Sequence, residues 1–158
     1  MKKIIYLVAI AILGIACKSQ SPVSTKVDSK TGVGMKGNWT ISAVTYPGSE
    51  YIKVSSFDIA DSKCFVGSTW KFISNNNKGN MALTKGDCPA FESNITWYVN
   101  KEGQFVMKLI DAGMKAKRVT EGVILSVANQ SADSFQLIDR INVGGKSVEV
   151  VYQFQRAI

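Results

Sequence analysis

The chain has 158 residues, of which 46% are apolar, enough for one domain with its own core and too few for a second domain. It contains no histidine, which excludes Ser-His-Asp and Cys-His nucleophiles and histidine-ligated zinc. The formal net charge is +7, but apart from Lys115, Lys117 and Arg118 the basic residues are spread singly, so no nucleic-acid-binding surface is predicted.

Residues 1–16 have the pattern of a signal peptide. Two lysines precede an apolar run, residues 4–16, which is too short to span a bilayer. The sequence Leu-Gly-Ile-Ala-Cys at 13–17 resembles a bacterial lipobox, in which the cysteine, here Cys17, is acylated and becomes the mature N-terminus. Because Gly14 and Ala16 also suit ordinary signal peptidase, a free thiol at Cys17 is the alternative.

Acylation of Cys17 predicts a lipoprotein that is attached to the membrane by lipid rather than by a helix. Residues 17–35 are rich in serine, lysine, threonine and glycine, which predicts a flexible tether between the lipid and a domain at 36–158. No acidic cluster follows Cys17, whereas the surface-export signals of some bacterial lipoproteins are acid-rich. We therefore expect an anchor in the outer membrane, with the domain facing the periplasm.

The domain contains eight segments in which apolar and polar residues alternate, as strands with one buried face do. They are 36–46, 68–74, 80–84, 94–99, 104–111, 119–128, 134–141 and 147–156. In the first segment, Trp39, Ile41 and Ala43 share the inward face. The long connection 49–67 is predicted to be a packed lid, with Phe57 and Ile59 as its anchors.

Eight such strands joined by short turns predict an all-β fold. An eight-stranded antiparallel up-and-down β-barrel is favoured because it leaves no exposed sheet edge. A sandwich of two four-stranded sheets is the structural alternative.

Gly37, Trp39 and Arg156 are predicted to close one end of this barrel. When strands alternate up and down, the start of the first and the end of the last lie at the same end. Arg156 shares the inward parity of Phe154, so its guanidinium is expected to stack on the indole of Trp39. In the alternative, Trp39 is an ordinary core residue and Arg156 is solvated.

With Gly37-x-Trp39 on the first strand and Arg156 on the last, residues 36–158 resemble the lipocalins. Many lipocalins carry a Thr-Asp-Tyr motif between the sixth and seventh strands, where this chain has residues 129–133, Asn-Gln-Ser-Ala-Asp. The resemblance is therefore to the outlying lipocalin-like domains that are common in bacterial lipoproteins.

Cys64 and Cys88 are predicted to form a disulfide. Strand alternation places both in loops at the open end of the barrel, and export to an oxidising compartment favours pairing. The bridge would close a loop of about 25 residues, to which the chain-entropy model assigns roughly 3.5 kcal/mol. Free buried cysteines are the alternative, and no metal site is predicted because two cysteines lack nearby ligands.

The inward residues predict a protein that binds a small hydrophobic or amphiphilic ligand. Small barrels either fill their interior with side chains or hold one small ligand. The cavity candidates are Trp70, Phe72, Met81, Trp97, Phe105, Met107, Leu125, Phe135 and Tyr152. The basic residues of the mouth are Lys53, Lys63, Lys85, Lys115, Lys117, Arg118 and Lys146, which favours an acidic head group on the ligand.

The competing hypothesis is a filled barrel that acts as a non-catalytic interaction or structural module of the cell envelope. Asp111 and Asp139 end two strands at the open end with inward parity, and we interpret them as solvated strand ends rather than as a catalytic pair. We expect a monomer that has no enzymatic activity and no cofactor.

Overall fold

The computed structural model describes residues 29–49, 52–110 and 122–158. In chain order they form helix α1 (Ser29–Gly34), strands β1 (Gly37–Thr45), β2 (Ser55–Ser56) and β3 (Ala60–Asp61), 3₁₀ helix η1 (Ser62–Phe65), strand β4 (Thr69–Ile73), 3₁₀ helix η2 (Ser74–Asn76), and strands β5 (Lys78–Leu83), β6 (Phe91–Val99), β7 (Gln104–Ile110), β8 (Val123–Ala128), β9 (Ser134–Val143) and β10 (Lys146–Arg156). No helix in these three ranges is both long enough and apolar enough to cross a membrane.

Eight of the strands form one closed barrel in the order β1-β10-β9-β8-β7-β6-β5-β4. β1 pairs antiparallel with β10 on one side and with β4 on the other, so the first and last strands close the ring. The predicted all-β, eight-stranded up-and-down barrel is therefore confirmed, and the two-sheet sandwich is excluded.

The predicted strand bounds are close to the observed ones wherever the chain is described. The largest difference is at β6, which begins at Phe91 where the sequence predicted residue 94. The extra residues are ordered by pairing with β5, as Phe91 lies opposite Leu83. The predicted strand residues 111 and 119–121 lie outside the described ranges.

A shift of register in β1 changes which residues face the core. The pairing with β10 is interrupted between Ile41 and Ala43, and beyond the shift Val44 lies opposite Tyr152 and packs against the core. The prediction that Ala43 faces inward is therefore wrong. A β-bulge inserts one residue into a strand and reverses the alternation after it.

Residues 29–35 belong with the barrel and not with the predicted tether. Residues 29–34 form α1, and Met35 is fully buried in the core. The indole N–H of Trp39 donates to the Met35 carbonyl at 2.8 Å, and Arg156 Nη2 donates to the Gly34 carbonyl at 3.4 Å. Since these partners lie in the barrel, the polar composition of the segment could not reveal them. The signal peptide, Cys17 and the tether up to residue 28 lie outside the described ranges.

Trp39 and Arg156 hold the closed end of the barrel. Trp39 is fully buried, and the guanidinium carbon of Arg156 lies 4.3 Å from the centroid of its ring, which is the predicted cation–π contact. Phe135 packs edge-on to the indole with centroids 4.6 Å apart. Arg156 Nε also donates to the Ala132 carbonyl at 2.9 Å, so the Arg156 side chain, although 37% exposed, is held in place by specific contacts.

Gly37 is required at its position for two reasons. Its φ is 127°, a region that residues with a side chain rarely adopt. A Cβ atom there would lie 2.8 Å from Arg156 Nη1. Gly37 therefore leaves the space that the Arg156 guanidinium occupies when it stacks on the indole of Trp39.

Phe72 on β4 is the centre of an aromatic core. Its ring centroid lies 5.1 to 6.4 Å from those of Trp70, Trp97, Phe105, Phe135 and Phe154. Phe135 and Phe154 stack on each other at 4.6 Å with an interplanar angle of 9°. The half of the barrel nearer the closed end is therefore filled by aromatic side chains.

Trp39→Ala is expected to lower the free energy of unfolding by about 3–5 kcal/mol, because it removes a fully buried indole from the core. Urea denaturation followed by circular dichroism measures the change. Asn38→Ala, an exposed substitution on the same strand, is the control and should change stability by less than about 0.5 kcal/mol. A loss below about 1 kcal/mol for Trp39→Ala would contradict the role given to this contact.

Candidate functional site

The open end of the barrel is the rim at which β1, β5, β7 and β9 end and β4, β6, β8 and β10 begin. The described part of the predicted lid, residues 52–67, covers this rim. It begins with a small hairpin formed by β2 and β3, which we call the lid hairpin (residues 55–61). The hairpin is followed by η1, whose Phe65 is fully buried.

Phe57 at the tip of the lid hairpin inserts its ring into the mouth of the barrel. The ring stacks on Tyr152 with centroids 5.3 Å apart and an interplanar angle of 27°. It also packs edge-on to Phe65 at 5.1 Å and lies 6.4 Å from Trp70. The predicted anchoring role of Phe57 is confirmed, and its ring lies over the aromatic core.

The backbone at this tip is of a kind that phenylalanine rarely adopts. Phe57 and Asp58 have φ values of 57° and 56°, and the Ile59 N–H donates to the Ser56 carbonyl at 3.0 Å. Two consecutive positive φ values across such a hydrogen bond define a type I′ turn, which favours Asn or Gly. The left-handed conformation costs a residue with a side chain about 1–2 kcal/mol. The ring contacts of Phe57 offset this cost, so the closed hairpin depends on them.

Hydroxyl groups connect the lid to the barrel beneath it. The Ser56 hydroxyl and the Tyr152 hydroxyl are hydrogen-bonded, and the Tyr46 hydroxyl lies 2.7 Å from Ser62 Oγ. Ser62 Oγ in turn donates to the Val54 carbonyl at 2.8 Å. Burial raises the pKa of Tyr152 well above its ordinary value, which outweighs the opposite effect of the Ser56 hydrogen bond. Tyr152 is therefore a neutral hydrogen-bonding group in the mouth.

Asp139 adds a carboxylate to the inner wall of the mouth. It lies on β9 opposite Val150 of β10 and is half-buried. Burial raises the pKa of its carboxyl, partly offset by a hydrogen bond from the backbone of Arg140. Asp139 and Tyr152 are diagonal neighbours on the inner wall, because Val150 lies two residues from Tyr152 on the same strand, and the charge of Asp139 contributes to the raised pKa of Tyr152. Asp139 is therefore not the solvated strand end that the sequence predicted, since β9 continues to Val143, and Asp111 lies outside the described residues.

A pocket of about 250 Å³ opens at the rim beside η1. It is lined by Val44, Thr45, Tyr46, Pro47 and Lys63. The sequence analysis missed this pocket, because uninterrupted alternation would have placed Val44 outward and the bulge in β1 turns it inward. Lys63, which was predicted to lie at the mouth, is one of the residues that line this pocket.

The other predicted basic residues of the mouth lie around the same rim where they are described. Lys53 is exposed in the lid, and Lys146 is exposed at the start of β10. Lys85 is exposed after β5 and lies 3.7 Å from the carboxylate of Asp87. Lys115, Lys117 and Arg118 lie outside the described residues, and their contribution stays a prediction.

The nine predicted cavity residues are all buried, but they divide into two levels. Trp70 and Tyr152 contact Phe57 of the lid hairpin. Four of the others, Phe72, Trp97, Phe105 and Phe135, form the aromatic core. The remaining three lie on the barrel wall, each opposite an aromatic residue of a neighbouring strand: Met81 opposite Trp70, Met107 opposite Trp97 and Leu125 opposite Phe105. Among the nine, Trp70 and Tyr152 are the residues whose rings pack against Phe57 in the described chain.

The predicted disulfide between Cys64 and Cys88 is present, with the two Cα atoms 5.7 Å apart. It joins η1 to the loop between β5 and β6. The disulfide therefore binds the C-terminal end of the lid covalently to the rim. The lid hairpin precedes Cys64 in the chain and lies outside the bridged segment. Within the described part of the chain, no cluster of three or more metal-ligating side chains occurs.

Comparison with known proteins places this geometry in context. A family model described as a lipocalin-like domain matches residues 35–129. Among solved structures, the complex of bovine odorant binding protein with a selenium-containing odorant is similar, with 10% sequence identity and a TM-score of 0.44 over 80% of this chain and 73% of that one. No curated protein matches the chain significantly.

Asp139→Asn is expected to raise the free energy of unfolding near neutral pH. Because burial raises the folded-state pKa above the unfolded value of 3.8, the native protein binds this proton more tightly, and stability falls as pH rises between the two values. The gain from Asn should therefore be present at about pH 7 and shrink towards about pH 4, as measured by urea denaturation.

Glu102→Gln, which removes an exposed carboxylate, is the control for the loss of one negative charge. If Asp139→Asn instead destabilised the protein near pH 7, the hydrogen bond from Arg140 would outweigh the cost of burial.

Proposed function

Since the chain belongs to the lipocalin-like domain family, we propose that it binds a small hydrophobic or amphiphilic ligand at the open end of its barrel, under the lid hairpin. The observation that carries the proposal is the half-buried Phe57, whose ring caps an apolar floor of Phe65, Trp70 and Tyr152. A ligand binds there by taking the place of this ring.

The lid hairpin is suited to such an exchange. Its ladder consists of the pairs Ser55–Asp61 and Ser56–Ala60, and a two-stranded hairpin of this size has little stability of its own. Its tip has a backbone conformation that is unfavourable without the contacts of the Phe57 ring. Lifting the tip therefore costs less than disturbing the closed barrel, whose strands are paired on both sides.

The charges around the mouth support a ligand with an anionic head group held at the rim. Lys63 lines the rim pocket, and Lys146 is exposed at the same end. The half-buried carboxylate of Asp139 opposes an anion deeper inside. We therefore place the head group of the ligand at Lys63 and its apolar part against Trp70 and Tyr152. In this role the protein is a binding protein without catalytic activity.

A second candidate function is a non-catalytic interaction module of the cell envelope. The aromatic core around Phe72 supports it, because these rings pack against one another inside the barrel towards its closed end. In this case the lid would be a fixed surface for a protein or cell-wall partner, and Phe57 would be a permanent part of the core.

Titration with dodecanoate distinguishes the two functions. We expect one molecule to bind with a Kd of about 1–10 μM, measured by calorimetry on protein purified without detergent. Lys63→Glu should weaken binding about threefold to tenfold by placing a negative charge beside the head group, whereas Lys101→Glu, in an exposed turn at the closed end, should not. A clean apo mass in native mass spectrometry, together with no binding across a panel of fatty acids, would refute the ligand-binding proposal.

We further propose that the domain is held as a monomer at the periplasmic face of the outer membrane by acyl chains on Cys17. The lipobox resemblance of residues 13–17 supports this location, as does the polar stretch that follows. Anchoring by more than one acyl chain is stable, whereas a single chain binds only marginally.

Cells grown with a clickable palmitate analogue should label the wild-type protein and not the Cys17→Ala variant. The variant should also be released from the membrane fraction, because the lipid is its only proposed anchor. Cys64→Ala is the control, since it removes a different cysteine and should leave labelling unchanged. Label that persists in Cys17→Ala would rule out acylation at this residue.

A further inference from the structure

We propose that the ligand of the open end carries a flat aromatic ring and a neutral hydrogen-bonding group, because the lid supplies these two contacts to Tyr152 when it is closed. This inference rests on the proposed ligand-binding function and specifies the chemistry of the same site. Phe57 provides the ring, stacked on Tyr152 at 5.3 Å and 27°. Ser56, the preceding residue, provides the hydroxyl that bonds to the Tyr152 hydroxyl.

Tyr152 sets both requirements for whatever replaces the lid tip. Its side chain is only 1% exposed beneath the closed lid, so a ligand that fills the same space keeps water from its hydroxyl as the lid does. A buried hydroxyl without a partner is costly, and a ligand that fails to bond to it loses affinity. The face of its ring, which Phe57 now covers, likewise favours an aromatic partner over an alkyl chain, because stacked rings gain more than area burial alone.

The charge of the site decides between a neutral and an ionised group at this depth. Asp139 pairs with Val150, which lies two residues from Tyr152 on the same face of β10, and within the described chain the Tyr152 hydroxyl bonds to that of Ser56. A carboxylate beside Tyr152 would be repelled by Asp139. A phenolic hydroxyl or an amide meets the requirement, and any acidic group of the ligand lies farther out, at Lys63 on the rim.

The disulfide explains how the lid tip can leave without loss of the rest of the lid. Cys64 in η1 is bound to Cys88 on the rim, and Gly67 and Ile41 pair by a backbone hydrogen bond of 2.8 Å. These contacts hold the segment that follows the hairpin. Residues 55–61 therefore form the part of the lid that the ligand displaces, and the rim pocket beside η1 stays in place.

Three probes of similar size separate the two contacts. They are para-propylphenol with a ring and a hydroxyl, propylbenzene with the ring alone, and heptanol with the hydroxyl alone. Calorimetric titration of the full-length mature protein should rank para-propylphenol first, by about threefold to tenfold over each of the others, as expected for one hydrogen bond or one ring stack. Tyr152→Phe should abolish the preference over propylbenzene while retaining ring stacking.

Variants at the tip of the lid hairpin test whether the Phe57 ring competes with the ligand for the same site. Phe57→Asn removes the ring but keeps a residue that accepts a positive φ, so it should strengthen para-propylphenol binding by removing the competing contact. Asp58→Asn keeps both the ring and the turn and should leave the affinity unchanged. If Phe57→Asn does not strengthen binding, the proposal that the lid tip occupies the ligand site is refuted.

The experiment separates failure of this inference from failure of the proposed function. If heptanol binds as well as para-propylphenol to both the wild type and Phe57→Asn, the aromatic preference is wrong while ligand binding stands. If none of the probes binds to either protein, both proposals fall.

Discussion

The stacking of Arg156 on Trp39 is the interaction on which the rest of the structure depends, because it fastens the end of the last strand to the start of the first. With β1 and β10 joined, the barrel has no free edge that could pair with another chain. The same guanidinium donates to the carbonyls of Gly34, Lys36 and Ala132. One side chain therefore holds α1, the first strand and the turn before β9 in place.

The two ends of the barrel differ in what holds them together. At the closed end, large aromatic rings pack on one another and on the Trp39–Arg156 stack, with no buried side-chain polar atom left unpaired in the described chain. At the open end, a small hairpin, a few hydroxyl groups and one ring make the contacts. Local opening in proteins follows such differences in packing, so motion is expected at the open end first. The disulfide restricts this motion to the lid hairpin.

The difference between the aromatic closed end and the small lid hairpin is consistent with ligand binding at the open end of the barrel. A ligand does not need an empty cavity when a mobile part of the protein occupies its site in the free state. In the proposed function, the unfavourable backbone at the tip lowers the cost of displacing Ser56 and Phe57, and the hydroxyl and ring face of Tyr152 would select the ligand that replaces them. Affinity and selectivity would thus both be set by the contacts of one tyrosine.

Much of the fold followed from periodicity and chain order. Alternation placed the eight strands, and up-and-down connectivity then placed Trp39 beside Arg156 and Cys64 near Cys88, because both deductions need only the direction and parity of each strand. The lid also followed, since a long connection with apolar residues must cover something. The membrane anchor at Cys17 and the basic group at 115–118 lie outside the described residues and remain predictions from sequence.

Tertiary structure alone decided the features that depend on distant partners. Met35 and α1 join the barrel because Trp39 and Arg156 bind their carbonyls, which no local pattern in a polar segment reveals. The bulge in β1 turned Val44 inward and formed the rim pocket, although the local sequence alternates without interruption. Phe57 adopts a backbone conformation against its own preference, because three aromatic neighbours, one of them on the last strand, hold its ring. The sequence by itself determined the strands and the Trp39–Arg156 contact, which need only the direction and parity of each strand. Long-range packing decided the open end, where the contacts of Tyr152 override local preference.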